Sequence, residues 1–343
     1  MASAGGGSLP RYVVQRILLV IPMVLIIVTI TFLLLRVAPG DPVSATVGGR
    51  LSEEAQAERR AALGLDRPLI VQYGEYVGNV FTLQFGEAIT DNRPIVDIIK
   101  DNGGATLTLT VSAFLLALLI GLPLGVVAGR YRDSAGDVGI RVFGIVTYAA
   151  PVFFWGFLFQ LFFAGYLGWF PSSGMATPVT TFEVPTRTHI LLIDAIIAGN
   201  TDAIADILWH LVLPSVTLGL LLCGVFIRLV RVNILQTLQG DYVEAARARG
   251  IGERRVLRAH AFRNALVPVI TVIGLQVALL LSGAVLTEAT FNWPGLGNEL
   301  VDYLLLRDYA AVQGLVTFFA VVVVVVSLLI DIVNALIDPR VRY

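Results

Sequence analysis

Residues 241–262 read DYVEAARARGIGERRVLRAHAF, and the reading of this stretch decides how the rest of the chain is understood. Between Arg228 and Arg263 stand eight arginines against three acids, Asp241, Glu244 and Glu253. On either side the chain is free of charge, from Ile207 to Ile227 and from Ala265 to Thr287. Within the stretch, a string of helix formers from Tyr242 to Arg249 ends at Gly250, and a second string opens at Glu253. Glycine just past a helix supplies the left-handed cap residue, so the pattern predicts two short helices joined by a tight turn. Two helices held at an angle outside a membrane form a compact knob that another protein can grip. A plainer reading competes with it: loops on the cytoplasmic side of membrane proteins are rich in arginine for reasons of topology alone.

Moving outward, composition sets the class. The chain has 343 residues, of which 56% are hydrophobic and 14% charged, and its mean hydropathy is +0.81. Soluble domains carry roughly 25% charged residues, so this is an integral membrane protein. A net charge of −1 gives no electrostatic reason to expect nucleic acid. The single cysteine, Cys223, lies in an apolar run, which excludes an intrachain disulfide. Lys100 is the only lysine and follows Ile99. A P-loop needs a lysine after glycine, so the chain binds no ATP through such a motif, and it offers no Schiff-base lysine. His189, His210 and His260 lie far apart in sequence, and neither His-Glu-x-x-His nor Cys-x-x-Cys occurs. No catalytic residue, metal site or cofactor is expected in this chain.

Six charge-free runs are long enough to span about 30 Å of hydrocarbon. They are Ile17–Leu35, Ala105–Gly129, Val142–Trp169, Ile207–Ile227, Ala265–Thr287 and Ala310–Ile330. The fold class expected is therefore all-α integral membrane with six transmembrane helices. Six spans put both termini on one side. The N-terminus, the Arg130–Arg132 turn, the Arg228–Arg263 loop and the tail with Arg340 and Arg342 hold most of the basic residues. The positive-inside rule makes that side cytoplasmic. Residues 1–10 are rich in Gly, Ser and Ala and are expected to be disordered; 11–37 form the first span, 38–104 an external helical subdomain, and 105–343 a five-helix core with the loop at 233–264.

Within the external segment, Ser52 precedes Glu53 and Glu54, and Gly64 follows the run to Leu63, which predicts a short capped helix. A weaker helical pattern covers Tyr73–Phe85. Of the second outer segment, Phe170–Asp206, the apolar part from Ile190 to Ala198 reads as a surface-lying helix. Pro22, Pro123, Pro151 and Pro214 mark bends. Gly121, Gly125 and Gly129, four residues apart, form a ridge for close helix approach. Asp331 sits near the cytoplasmic end of the last span, where it can snorkel or cap. The spans otherwise lack buried acids, which argues against an ion- or proton-coupled transporter.

Short strings along the chain then match one family in order. Arg36-Val-Ala-Pro-Gly-Asp41-Pro42 follows the first span. Leu63-Gly-Leu-Asp-Arg-Pro68, Gln72-Tyr73 and Phe85-Gly86 fall in the external segment. Asp241-Tyr242, Glu244-Ala245-Ala246, Ala248-x-Gly250, His260 and Arg263-Asn-Ala-Leu266 lie in the loop. Phe291-Asn-Trp293-Pro294-Gly295-Leu-Gly297 follows the fifth span, and Asp338-Pro339-Arg340 closes the chain. From about Arg11 to Tyr343 the chain resembles the dipeptide, oligopeptide and nickel branch of ABC-importer permeases, specifically the first of the two permease subunits. One departure is that Leu83-Gln84-Phe85-Gly86 stands where that branch has Gly-Asp-Phe-Gly.

The resemblance implies a type I importer permease fold in a bacterial plasma membrane. The machine would hold a second related permease, two ATP-hydrolysing subunits that carry ATP and Mg, and an external solute-binding protein. Asp241, Tyr242, Glu244, Ala245, Ala246, Arg249 and Gly250 would form the EAA coupling helix that docks on the ATPase. Phe291, Trp293, Pro294, Gly295 and Gly297 would form an external gate or the seat of the binding protein; read alone, they suit an interfacial aromatic anchor and a turn. The cargo implied is di- or oligopeptide, with nickel-chelate, glutathione or oligosaccharide as alternatives within the branch. A self-sufficient channel or secondary transporter is the competing class.

Overall fold

In the computed structural model, residues 9–37, 52–62, 64–257 and 262–337 are described. Residues 38–42 of the Pro-Gly-Asp-Pro string, Leu63, His260 and Asp338-Pro339-Arg340 lie outside them. The described chain is helical, and its sole β feature is an isolated bridge between Glu87 and Pro94. In order come α1 (Leu9–Val37), α2 (Glu53–Ala62), α3 (Leu69–Phe81) and α4 (Ile95–Arg130). Next are α5 (Ala135–Ala149) and α6 (Val152–Phe159), which runs on as a π-helix over Gln160–Tyr166. The short helices α7 (Pro178–Glu183) and α8 (Leu191–Ala198) lead into α9 (Thr201–Leu238). After α10 (Asp241–Ala248) and α11 (Glu253–Arg255) come α12 (Arg263–Phe291), α13 (Leu296–Leu305) and α14 (Tyr309–Ile337).

Among the described residues, α1, α4, α9 and α14 are long and apolar enough to cross a membrane, and α5 with α6 makes a fifth if counted as one span. This is a multi-pass α-helical membrane protein. The run Val142–Trp169, expected as one span, is instead bent by 102°. The bend falls at Ala150 and Pro151: Ala150 is extended at φ −86°, ψ 140°. Proline disfavours the helical region for the residue before it and has no N–H to continue the ladder. Pro22, Pro123 and Pro214 stay inside their helices.

The glycine ridge performs as expected. A Cβ built on Gly121, Gly125 or Gly129 of α4 would stand 2.7–2.8 Å from side-chain carbons of Phe226, Val230 or Ile234 on α9. Those three α9 residues are fully buried. Lipid tails are as apolar as the side chains, so close dispersion contact rather than water exclusion holds such helices together. This makes α4–α9 the most extensive helix pair in the fold.

The bundle has two chemically different ends. At the arginine-rich end, Arg16 of α1 pairs with Asp331 of α14 at 3.1 Å, which gives Asp331 a partner rather than a proton-relay role. The 131–134 turn and α10–α11 lie at the same end, where the charge of Arg130 reaches Glu253. At the opposite end, Ser52 Oγ accepts from Ala55 N (3.3 Å) at the start of α2, and Gly64, at φ +65°, follows that helix. Helix α3 starts at Leu69, right after Pro68, four residues before the expected Tyr73, and stops at Phe81; Phe85 lies beyond it, buried. Tyr73 hydrogen-bonds Thr29 of α1 at 2.6 Å. Helix α8 is only partly surface-lying, since Ala195 is buried while Ile196 and Ile197 are exposed. Burial pushes the Asp194 carboxyl of α8 up; hydrogen bonds from the Thr188 hydroxyl and the Arg187 and Thr188 amides, with the His189 charge, outweigh this and set it below the usual carboxylate range.

Candidate functional site

The loop at the arginine-rich end folds as a two-helix knob. Helix α10 ends at Ala248 with Arg249 as its cap, and Gly250 follows at φ +76°, a left-handed conformation that side chains resist. Gly250 N donates to Arg247 O (2.9 Å) and Ile251 N to Ala246 O (3.2 Å), which is the Schellman pattern. Gly252 then leads into α11. Val243, Ala246 and Val256 are buried together, with Leu238 and Ile251 packed against them. The bidentate pair of Arg247 with Glu253 (2.7 and 3.4 Å) clasps the two helices from outside. This hydrogen bond lowers the Glu253 carboxyl and raises the Arg247 guanidinium from their ordinary values.

The two-helix prediction therefore holds, and the structure sorts its residues. Asp241, Tyr242, Glu244, Ala245, Arg249 and Gly250 are exposed and cover the outer surface of the knob. Ala246 is the exception: it faces inward, and a larger residue there would pry the knob open. Helical periodicity explains the split, since Val243 and Ala246, three apart, share one face.

The knob is tied directly to the spanning bundle. Helix α9 runs into Gln239 and Gly240 with no intervening linker, and Leu238 packs against both the knob and the main core. Just above, Arg231 of α9 holds Asp137 of α5 through two hydrogen bonds of 2.7 and 2.8 Å. Asp137 is wholly buried, and its second oxygen also accepts from Asp133 N at 3.0 Å. Sequence reasoning missed this pair. The available signal was Ser134-x-x-Asp137: Ser134 Oγ caps α5 by accepting from Asp137 N at 3.2 Å.

At the opposite end, residues 291–297 form a buried turn. Phe291 and Trp293 are 1% and 0% exposed, so the anchor reading is wrong for them: they fill the core instead of meeting an interface. Trp293 Nε1 donates to Ala105 O (3.0 Å), and Leu296 N donates to Thr106 Oγ1 (2.8 Å), which pins the turn to the side of α4. Glu288 Oε2 accepts from Gly297 N (2.6 Å) and Asn298 N (3.2 Å) and so caps α13. Gly295 and Gly297 are required here, because a Cβ on Gly295 would strike the Glu288 carboxylate and one on Gly297 would stand 2.5 Å from Val285 Cα. Of the predicted gate residues, only Pro294 reaches the surface, beside Asn292.

Buried acids are thus present, contrary to expectation. Asp137, Glu288 and Asp308 have no exposed surface. All three lie at helix ends, where hydropathy runs stop short, and each accepts hydrogen bonds from an arginine or from backbone N–H groups. Asp308 also accepts from Thr90 N and Thr90 Oγ1, at 2.7 and 2.9 Å. Asp137 and Asp308, so fully engaged, build structure, whereas Glu288 Oε1 makes no hydrogen bond among the described residues. No group of acids, histidines and cysteines among the described residues has the arrangement of a metal site.

A polytopic helical bundle with a two-helix knob on one end defines a multi-pass membrane component. The comparisons give its family. Residues 121–343 match the family described as the binding-protein-dependent transport system inner membrane component, and residues 9–110 match its N-terminal model. The chain is 38% identical over 333 residues to the di/tripeptide transport system permease protein of Pseudomonas aeruginosa, covering 97% of this chain and 98% of the relative. It is 37% identical over 335 residues to the dipeptide transport system permease protein of Escherichia coli K12, covering 97% and 99%. A putative peptide transport system permease of Brucella abortus is 35% identical over 331 residues, covering 96% and 98%. The chain belongs to the binding-protein-dependent transport permeases, the non-catalytic membrane components of ABC importers.

Proposed function

We propose that this chain is one of two permease subunits of an ATP-driven importer of di- and oligopeptides. In this reading it crosses the membrane six times, with α12 as the fifth span and both termini cytoplasmic. Residues 11–37 form the first span and 38–104 the external helical subdomain; 105–343 form the five-helix core. A second related permease completes the pathway, two ATPase subunits bind ATP and Mg, and an external binding protein delivers cargo. The names of the relatives support the peptide cargo.

The observation that carries the reading is the continuity of the knob with the bundle. Its exposed face, Asp241, Tyr242, Glu244, Ala245, Arg249 and Gly250, is the ATPase-docking surface, and Ala246 supports that face from within. Closure of the ATPases displaces the knob, and Leu238 and the Asp137–Arg231 pair pass the displacement to α9 and α5 as rigid bodies. The buried turn at 291–297 acts as the external gate through Trp293 and Phe291, while contact with the binding protein falls to Pro294 and its neighbours.

Two measurements test this. Mild-detergent purification of the chain from its own membranes should retain a second permease, P-loop subunits and a solute-binding protein. In the reconstituted complex, Glu244→Lys should leave the bundle folded and assembled to normal level but cut peptide uptake at least tenfold. Wild-type uptake in that variant would remove the coupling role.

A further inference from the structure

Between α5, α9 and α12, at the arginine-rich end, lies a cavity of about 920 Å³. That is the size range of small-ligand sites. Most of its wall is apolar, from residues such as Ile145, Val225 and Leu279, and three arginines, Arg141, Arg228 and Arg231, stand around it.

These arginines are not equivalent. Arg231 is committed to Asp137 through two short bonds, and Arg141 lies 3.5 Å from the same carboxylate. Arg228, one helical turn before Arg231, makes no ion pair among the described residues. Asp137 therefore serves two of the three cations, and Arg228, exposed at the cavity, is left without an ion pair among the described residues. Across the cavity stands Gln276 of α12, whose side-chain Oε1 makes no hydrogen bond among the described residues. Most buried polar atoms are satisfied, so such an orphan acceptor calls for a donor.

Among the described residues, the cavity thus presents an exposed guanidinium without an ion pair, a side-chain amide with an unfilled acceptor and an apolar wall between them. A short peptide carries the complement: a terminal carboxylate, N–H donors and side chains of varied apolarity. Guanidinium is the group best matched to a carboxylate, through two parallel bonds. We propose that this cavity is a cargo-holding site on the cytoplasmic half of the pathway, in which Arg228 takes the C-terminal carboxylate of a short peptide and the side-chain amide of Gln276 turns to hydrogen-bond its backbone. The proposal rests on the importer reading above and adds a recognition step within the permease itself. Arg141 and Arg231 keep Asp137 neutralised, so that no fixed anion competes for Arg228.

The shared chemistry is an oxyanion, and an anionic lipid headgroup is the other source of one near the membrane surface. The test is equilibrium binding of labelled trialanine and trialanine amide to the permease–ATPase complex in nanodiscs, without the external binding protein. In discs of phosphatidylcholine alone, the free acid should bind at least tenfold more tightly than the amide. Arg228→Gln should weaken binding of the acid at least tenfold and leave the amide unchanged, which removes the preference. Arg228→Lys should restore part of it, and Gln276→Leu should weaken both peptides. Equal binding of acid and amide to the wild type would overturn the proposal. So would an Arg228→Gln effect that appears only with phosphatidylglycerol in the discs, since Arg228 would then serve lipid. Stimulation of ATP hydrolysis by the binding protein, measured in the same discs, reports the importer reading separately: its presence without any acid preference sinks the holding site alone, and its absence in the wild type sinks the importer reading.

Discussion

The knob at 241–257 and the turn at 291–297 are both short, glycine-bearing connections between long helices, and they are built in opposite ways. The knob has a small apolar core of Val243, Ala246 and Val256 and turns its motif residues outward. The turn buries Phe291, Trp293 and Leu296 and leaves Asn292 and Pro294 outside. Glycine differs in role as well. Gly250 has open space around it and is needed for its left-handed φ, whereas Gly295 and Gly297 are needed because Glu288 and Val285 leave no room for a Cβ. A surface built to be gripped tolerates change in stability and not in shape or charge; a buried pin tolerates neither cavity nor bulk.

This contrast can be broken from the buried side first. Trp293→Ala removes the largest fully buried side chain and its bond to Ala105, and should cost about 3–5 kcal/mol. Gly297→Ala should be of similar severity through overpacking against Val285. Both should appear as lower thermal midpoints in detergent and reduced membrane levels; midpoints equal to wild type would show that the turn is not a pin.

Next in size is Asp137→Asn, which leaves Arg231 without its anion where α5 meets α9. It should lower the midpoint less than Trp293→Ala and loosen coupling, so that ATP hydrolysis per peptide imported rises. Reversing the pair, with Asp137→Arg and Arg231→Asp together, should recover more uptake than either change alone.

Gly250→Asp sharpens the knob side. A side chain at φ +76° strains the cap by about 1–2 kcal/mol, yet hydrogen exchange should show the loss confined to α10 and α11. Uptake should fall much further than the thermal midpoint. Parallel losses in both would erase the distinction between the two regions.

The smallest effect concerns the Arg247–Glu253 clasp. Glu253 has its carboxyl below the ordinary glutamate value in the folded knob, chiefly through the Arg247 hydrogen bond. The clasp therefore contributes fully above the unfolded glutamate pKa and is lost as pH falls through the lower folded one. Hydrogen exchange at residues 251–257 should quicken modestly on acidification in the wild type, and Arg247→Gln should flatten that dependence. Both groups are well exposed, so solvent screening keeps the effect on stability small.

Much of this architecture is legible without coordinates. Charge-free runs locate the long helices because hydrocarbon tolerates no unpaired polar group. Gly250 and Gly64 mark helix ends because only glycine takes a left-handed φ freely. The run criterion fails at the edges: α9 continues past Ile227 to Leu238, carrying Arg228 and Arg231 on the same helix. Hydropathy measures the apolar layer, whereas the hydrogen-bond ladder ignores its boundary.

What the sequence by itself determined is therefore local: where the long apolar helices lie, where Gly64 and Gly250 end their helices, that Pro151 can bend its span, and that residues 241–257 form a charged two-helix knob. These follow from backbone sterics, propensity and the period of apolar residues, all of which act over a few residues. Only the tertiary structure decided that Ala246 faces inward, that Trp293 is core rather than anchor, that Asp137 meets Arg231, and that Arg228 stands beside a cavity without an ion pair among the described residues. Those outcomes depend on which distant helices meet, and burial and pairing across such contacts are properties of the packed bundle rather than of any stretch of chain.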